Sequence, residues 1–275
     1  MDSGQRGIVW RLLAPEDLRP LTVFKFAADR LPVAIFLSLT ALDFVMFFMV
    51  ESTWLILAYW VAMIPVKAMV CAWNHHHQHV PTFHAKPLNR LLEMSFALHT
   101  GATTNAWVLH HVHGHHMNYL DQDSDESRWR RTSGETFGYI HYTLITTLTA
   151  YTRAFAVGRN HPRLQRAFIG YGLLTLCIVG ALVAIKPFHG LFLFAFPMIT
   201  SLVITIAATY HHHSNLDTDD HMQASRNYTH NIRNVLSGNL GYHTAHHYRQ
   251  GLHWSKLPEL HAEIVNDIPA EYIKS

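Results

Sequence analysis

The sequence predicts an all-α integral membrane protein: four transmembrane helices in two hairpins, with interfacial helices and a cytosolic His-rich helical cap. Three observations predict it. Charged residues fill only 15% of the 275 positions, against roughly 25% in a soluble domain. Four apolar runs of eighteen to twenty residues suit the ~30 Å of hydrocarbon at ~1.5 Å per residue. The 24 histidines cluster where those runs end.

In residues 1–30, Arg6, Arg11, Glu16, Asp17, Arg19, Lys25 and Arg30 interrupt every apolar run, so no signal-peptide core fits. Trp10, Leu12, Leu13, Leu21, Val23, Phe24 and Phe26 fit a segment lying at a membrane surface, or an apolar loop. The first span is 31–50; Asp43 within it is costly in lipid and should face the bundle. Glu51 and Ser52 make a tight turn into the second span, 53–72, where Pro65 is expected to kink the helix and Lys67 to snorkel to the interface. Leu88 to Val108 carries Arg90, Glu93, His99 and Asn105 and reads as an interfacial or partly inserted helix. Phe137 to Phe155 is amphipathic enough to lie on the bilayer. Spans three and four are 168–185 and 191–208, separated by Lys186 to Gly190. The whole chain, 1–275, is read as a single domain, with the cap built from 73–167 and 209–275.

Four crossings put both termini and every His cluster on one side. Of the 21 Lys and Arg, only Lys186 lies in the two opposite connections and only Lys67 inside a span, leaving nineteen on the His side. By the positive-inside rule that side, with both termini and the site, is cytoplasmic.

Five imidazoles fall within seven positions at His110, His111, His113, His115 and His116, more than an apolar core could satisfy with hydrogen bonds. Further clusters stand at His75, His76, His77 and His79, at His211 to His213, and at His243, His246 and His247. Neutral imidazole gives one lone pair to a metal and one N–H to an acceptor, which suits Zn, Cu, Fe or Ni. On an α-helix residues four apart share a face, so His75 can converge with His79, and His111 with His115, while His116 diverges. His243 and His246 repeat the pattern with His247 diverging, so each adjacent pair serves two ions side by side. The isolated His84, His99, His141, His161, His189, His221, His230, His253 and His261 read as solvated or singly bonded. The only cysteines, Cys71 and Cys177, form no C-x-x-C pair, which excludes a disulfide framework, a zinc ribbon and a fused rubredoxin-like carrier.

The ordered boxes His75-x-x-x-His79, His111-x-x-x-His115-His116, a His ending the fourth span, and Asn239-Leu-Gly-Tyr-His243-x-x-His246-His247 resemble those of the membrane fatty acid desaturase and hydroxylase superfamily, from about Leu31 to His261. The last box is similar to that of acyl-lipid desaturases. The central one, with Val112 where desaturases usually carry a His, resembles alkane hydroxylases, as does Thr209 to Ser214, in which Tyr210 precedes His213 by three. The resemblance implies two iron ions, cycling between Fe2+ and Fe3+, held by His75, His79, His111, His115, His116, His213, His243, His246 and His247. Asn239 would hold a water ligand or brace its loop, and His212 would support a ligand. Asp121, Asp123, Asp125 and Glu126 are candidates to accept the outer N–H of ligating rings.

Breaking an unactivated C–H bond needs O2 as co-substrate and two electrons, a load two irons can share. The resemblance therefore implies a desaturase acting on a long-chain fatty acyl or alkyl substrate from the membrane lipid, acyl-lipid or carrier-bound. The alternative is a hydroxylase, alkane-monooxygenase-like, or an alkene-forming fatty acid oxidase; a His-rich metal transporter would instead string ligands along the spans. Trp129 with Arg128, Arg130 and Arg131 is a candidate anion or carrier-protein contact. No haem, flavin or Gly-rich dinucleotide motif is present, so electrons must come from a separate donor of ferredoxin, rubredoxin or cytochrome b5 type. No nucleic acid is expected among the partners.

Overall fold

The computed structural model describes residues 23–275; Trp10, Leu12, Leu13 and Leu21 of the expected surface segment lie outside the described residues. Of its remaining residues Val23 is exposed, while Phe24 packs against Phe83 at 4.8 Å and Phe26 stacks on His253 at 3.8 Å between centroids.

Helix α1 (Arg30–Met49) turns through Glu51 and Ser52 into α2 (Thr53–His79), where the Ser52 hydroxyl accepts the Leu55 N–H at 3.4 Å. The apolar run ends at Ala72, but α2 continues, with Pro65 inside it and not ending it. Its 27 residues make a rod of about 40 Å, longer than the ~30 Å of hydrocarbon. The surplus turns present His75 to His79 beyond the lipid.

There follow α3 (Lys86–Thr100), a π-helix over Val108–His116, α4 (Tyr139–Gly158) and α5 (Pro162–Ile185). Helix α6 runs over Pro187–His213 with one π turn at Leu191–Ala195. The cap is completed by the short helices α7 (Asn231–Ser237), α8 (His243–Tyr248) and α9 (Leu257–Ile264). Strands β1 (Asn227–Tyr228) and β2 (Ile273–Lys274) pair in parallel, Asn227 opposite Ile273, and tie the end of the chain to the cap.

Among the described residues four helical runs are long and apolar enough to cross a membrane: Ala27–Met49, Thr53–His79, Pro162–Ile185 and Pro187–His213. Trp54, Leu148 and Leu176 are exposed, as lipid-facing side chains must be. Helix α6 packs against α2, α3 and α4. The amphipathic α3 buries its second half, Ser95 to Thr100, in the bundle, and α4 turns Ile140, Leu144 and Leu148 outward. On the far side Lys186 pairs with Glu51 at 2.8 Å and joins the two hairpin turns.

Lys67 does not snorkel. It is 2% exposed, its ammonium 2.7 Å from Asp43 Oδ2 and 3.0 Å from the Leu193 carbonyl in the π turn of α6. Tyr59 O–H donates to Asp43 Oδ1 at 2.7 Å, and the His99 ring bridges Thr40, at 2.8 Å, and Asp43, at 3.3 Å. A carboxylate facing the bundle at mid-helix needs a counter-charge more than the lysine needs water, since an unpaired buried charge costs several kcal/mol.

Candidate metal centre

The ends of α2 and α6, the π-helix and α8 bring all nine predicted imidazoles together. Their nitrogens form two groups, each within 4.8 Å: His75, His79, His111, His116 and His246, and His115, His213 and His247. His243 joins the second, its Nε2 3.0 Å from that of His213.

The pairing differs from the expected one. The segment Val108–His116 is π-helical, closing its bonds five residues apart, so His111 faces His116, Nε2 to Nε2 at 2.9 Å, and His115 turns to the other group. Gly114 permits the close fit, because a Cβ there would meet Glu126 Cγ at 2.7 Å. In α8 the winding is α, which sets His243 beside His247, at 4.7 Å between centroids, and not His246, at 5.7 Å. The adjacent pairs still divide between the groups as expected.

The chemistry of the donor set fits metal ions. His115 Nδ1 donates to Asp125 Oδ1 at 2.8 Å and His213 Nδ1 to the Ala224 carbonyl at 2.9 Å. Each ring therefore keeps its lone pair on Nε2, and these lone pairs face each other at 3.3 Å, a repulsive contact without a cation. Nitrogens ~2.1 Å from one ion at right angles would lie ~3.0 Å apart, close to the 2.9 Å between His75 and His246. His79 Nε2 and His247 Nε2 are buried without a hydrogen-bond partner. Burial pushes His111, His116, His243, His246 and His247 well below the ordinary imidazole range, and neighbouring imidazoles add to it. Neutral rings are the form a metal binds.

The surroundings sort the remaining candidates. Of the four acids only Asp125 reaches a cage ring, and it also accepts the Ser127 N–H; Asp121 instead braces its own turn through Ser124 and Asp123. His212 stacks on His243 at 3.9 Å with Nδ1 on the Arg226 carbonyl. Asn239 braces its loop, in a left-handed conformation at φ 65° with Nδ2 on the Trp254 carbonyl. His76 contacts the Ser237 carbonyl, His77 lies beside Thr82 and Glu93, and His211 is exposed. Trp129 is buried, while Arg130 pairs with Asp217, Arg131 with His141 and Arg128 with Glu126, so the expected anion contact is already occupied by internal partners. Sequence reasoning missed Tyr119, whose ring packs 4.3 Å from His247 and whose hydroxyl meets His221 at 2.5 Å; nothing in its spacing marked it.

A cavity of about 540 Å3 adjoins the cage, walled by Ala68 and Met69 of α2 and Ile204 and Thr205 of α6 and reaching His75, His111 and His243. Ala68 to His75 alone spans about 10 Å of helix axis. His110 lines it too, its pKa pushed down to about 3 by burial and then by Arg153.

Buried imidazoles that could hold metal ions gather at one end of four helices long and apolar enough to cross a membrane, beside a largely apolar cavity: the features of an integral membrane protein with a candidate metal centre. Residues 52–274 match the family model described as fatty acid desaturase. The chain belongs to that family, and so to the oxidoreductases of lipid metabolism, acting on a lipid or acyl substrate. No curated protein matches the chain.

Proposed function

We propose that this protein is an O2-dependent di-iron desaturase that introduces a C=C bond into a long acyl chain lying in the cavity. The observation that carries the reading is the contact between cavity and cage: an apolar space of a size to take a chain is bordered by His75, His111 and His243. In this reading His75, His79, His111, His116 and His246 hold one iron, and His115, His213, His243 and His247 the other. Bound iron supplies the two-electron redox chemistry that lets O2 take one hydrogen from each of two adjacent carbons. O2 leaves as two waters, with two further electrons from a separate donor protein and two protons from solvent.

The chain's own residues position and protect. Asp125 fixes the tautomer and orientation of His115, as the Ala224 carbonyl does for His213. Apolar walls on α2 and α6 hold methylenes against the cage and exclude water. The imidazoles cluster at one end of the spans and not along them, opposite to what a transport path would need. Among the described residues every Lys and Arg except Lys67 and Lys186 lies on the cage side, which supports a cytoplasmic site; cysteine labelling from either side of sealed vesicles would test this and the placement of the termini.

The decisive experiment is mass-spectrometric profiling of lipids and hydrocarbons after expression with and without iron. Iron- and oxygen-dependent unsaturation is the expected result; alcohols or shortened alkenes would reassign the outcome to hydroxylation or alkene formation, and unchanged chains would overturn the reading.

A further inference from the structure

An acyl chain in this cavity also has a head, and one lining residue is suited to it. Among the described residues, Arg233 is the only Lys or Arg lining the cavity. Its guanidinium lies over the Tyr228 ring, 4.3 Å from the centroid, and among the described residues no carboxylate pairs with it. The arginines around Trp129 differ: each has a partner, and the cavity touches none of them.

The position of Arg233 is tied to the cage. Its helix, α7, is fastened to α2 by the Trp73 indole N–H on the Leu236 carbonyl at 2.9 Å and by His76 on the Ser237 carbonyl at 3.1 Å. Gly238 ends α7 at φ +61° with His76 so close that a Cβ would sit 3.0 Å from its ring. From Arg233 to the Tyr228 ring, on to His212 and then to His243 the separations are 4.3, 5.2 and 3.9 Å, which bounds the distance from guanidinium to cage ring at about 13 Å. Arg233 is itself exposed, so one side meets water while its neighbours Ile232 and Leu236 line the cavity. His230, also lining it, adds a second polar group.

We propose that Arg233 anchors the anionic head of the substrate, a carboxylate or a phosphate, while the acyl chain runs into the cavity past His243, His75 and His111. A guanidinium fork matches both anions in a bidentate way, and an exposed cation lining a largely apolar cavity matches an amphipathic acid end to end. The proposal rests on the acyl-chain reading of the cavity and narrows it to chains with a charged head.

The test uses the full-length, iron-loaded protein with oxygen and a reductant, and three probes: palmitate, dipalmitoyl phosphatidic acid and methyl palmitate. The wild type should favour an anionic probe over the neutral ester, and whichever anion wins tells carboxylate from phosphate. Arg233→Gln should raise KM for that anion at least about tenfold, the loss of one charge-assisted contact, with kcat within about twofold and iron content unchanged. It should also erase the preference over the ester, while Arg233→Lys keeps part of it. Equal use of acid and ester by the wild type, or an unchanged KM in Arg233→Gln, would overturn the anchor. Should no probe be oxidised, the desaturase reading fails; displacement of a fluorescent fatty acid by palmitate and by phosphatidic acid then decides the anchor alone, a tenfold weaker affinity in Arg233→Gln supporting it and an equal one refuting it.

Discussion

Two buried polar clusters share helix α2, and they solve opposite problems. In the bundle, Asp43 meets Lys67, Tyr59 and His99, and Lys67 also reaches the Leu193 carbonyl. Charge answers charge there, and the cluster is complete as protein. One end higher, His115 and His213 spend their N–H groups on Asp125 and Ala224 and turn lone pairs toward each other. That cluster leaves lone pairs that a bound cation would satisfy. Histidine takes part in both, so residue type does not separate scaffold from site; what separates them is whether donors and acceptors balance.

The contrast predicts different failures. Largest should be His115→Ala, which removes a ring from the second group: product formation should fall by more than about a thousandfold and iron drop below two per chain by elemental analysis, with helix content by circular dichroism unchanged. If the two-iron assignment is wrong, iron will not move. Acid is the next lever, applied to metal-free protein. Burial lowers the pKa of His111, His116, His243, His246 and His247 in the folded state, so below about pH 6.5 the unfolded chain binds protons first. Stability should therefore be full above that pH and fall beneath it, by up to ~1.4 kcal/mol per pH unit for each ring; iron should raise the whole curve without moving that onset, so that unfolding is reached at lower pH, and thermal unfolding scans would show both.

Lys67→Met, by stranding Asp43, should cost about 3–5 kcal/mol with iron retained by the folded fraction, and adding Asp43→Leu should recover much of it. Iron loss in that variant would mean the clusters are coupled. Smallest is Asp125→Asn, which keeps an acceptor but loses the charge on His115: iron affinity should weaken roughly 10–100-fold with little change in the unfolding temperature.

Much of this was legible in the amino acids. The spans and their pairing follow from apolar run length, and His spacing points to the clusters; the set of nine rings, His213 above all, comes from the resemblance to the desaturase and hydroxylase boxes. The partners within the cage were not legible, because His111 and His116 meet only if the backbone winds as a π-helix, and HHVHGHH reads equally well as α. Lys67 was misplaced because hydropathy sees a residue's distance from the span end and not the Asp43 across the hairpin. Arg233 looked like any cap arginine, since only folding brings α7 to the cavity. Of Asp121, Asp123, Asp125 and Glu126, spacing offered no way to single out the one that reaches His115.

The length of α2 has one more consequence. His75 and His79 ride on the same continuous helix as Trp54, 27 helical residues from one end to the other. A rod whose apolar stretch mismatches the bilayer tilts to fit, and tilting α2 carries two cage rings with it relative to the π-helix and α8. What holds α2 in place against such tilting at the cage end is its packing on α6 and the Trp73 and His76 bonds to α7.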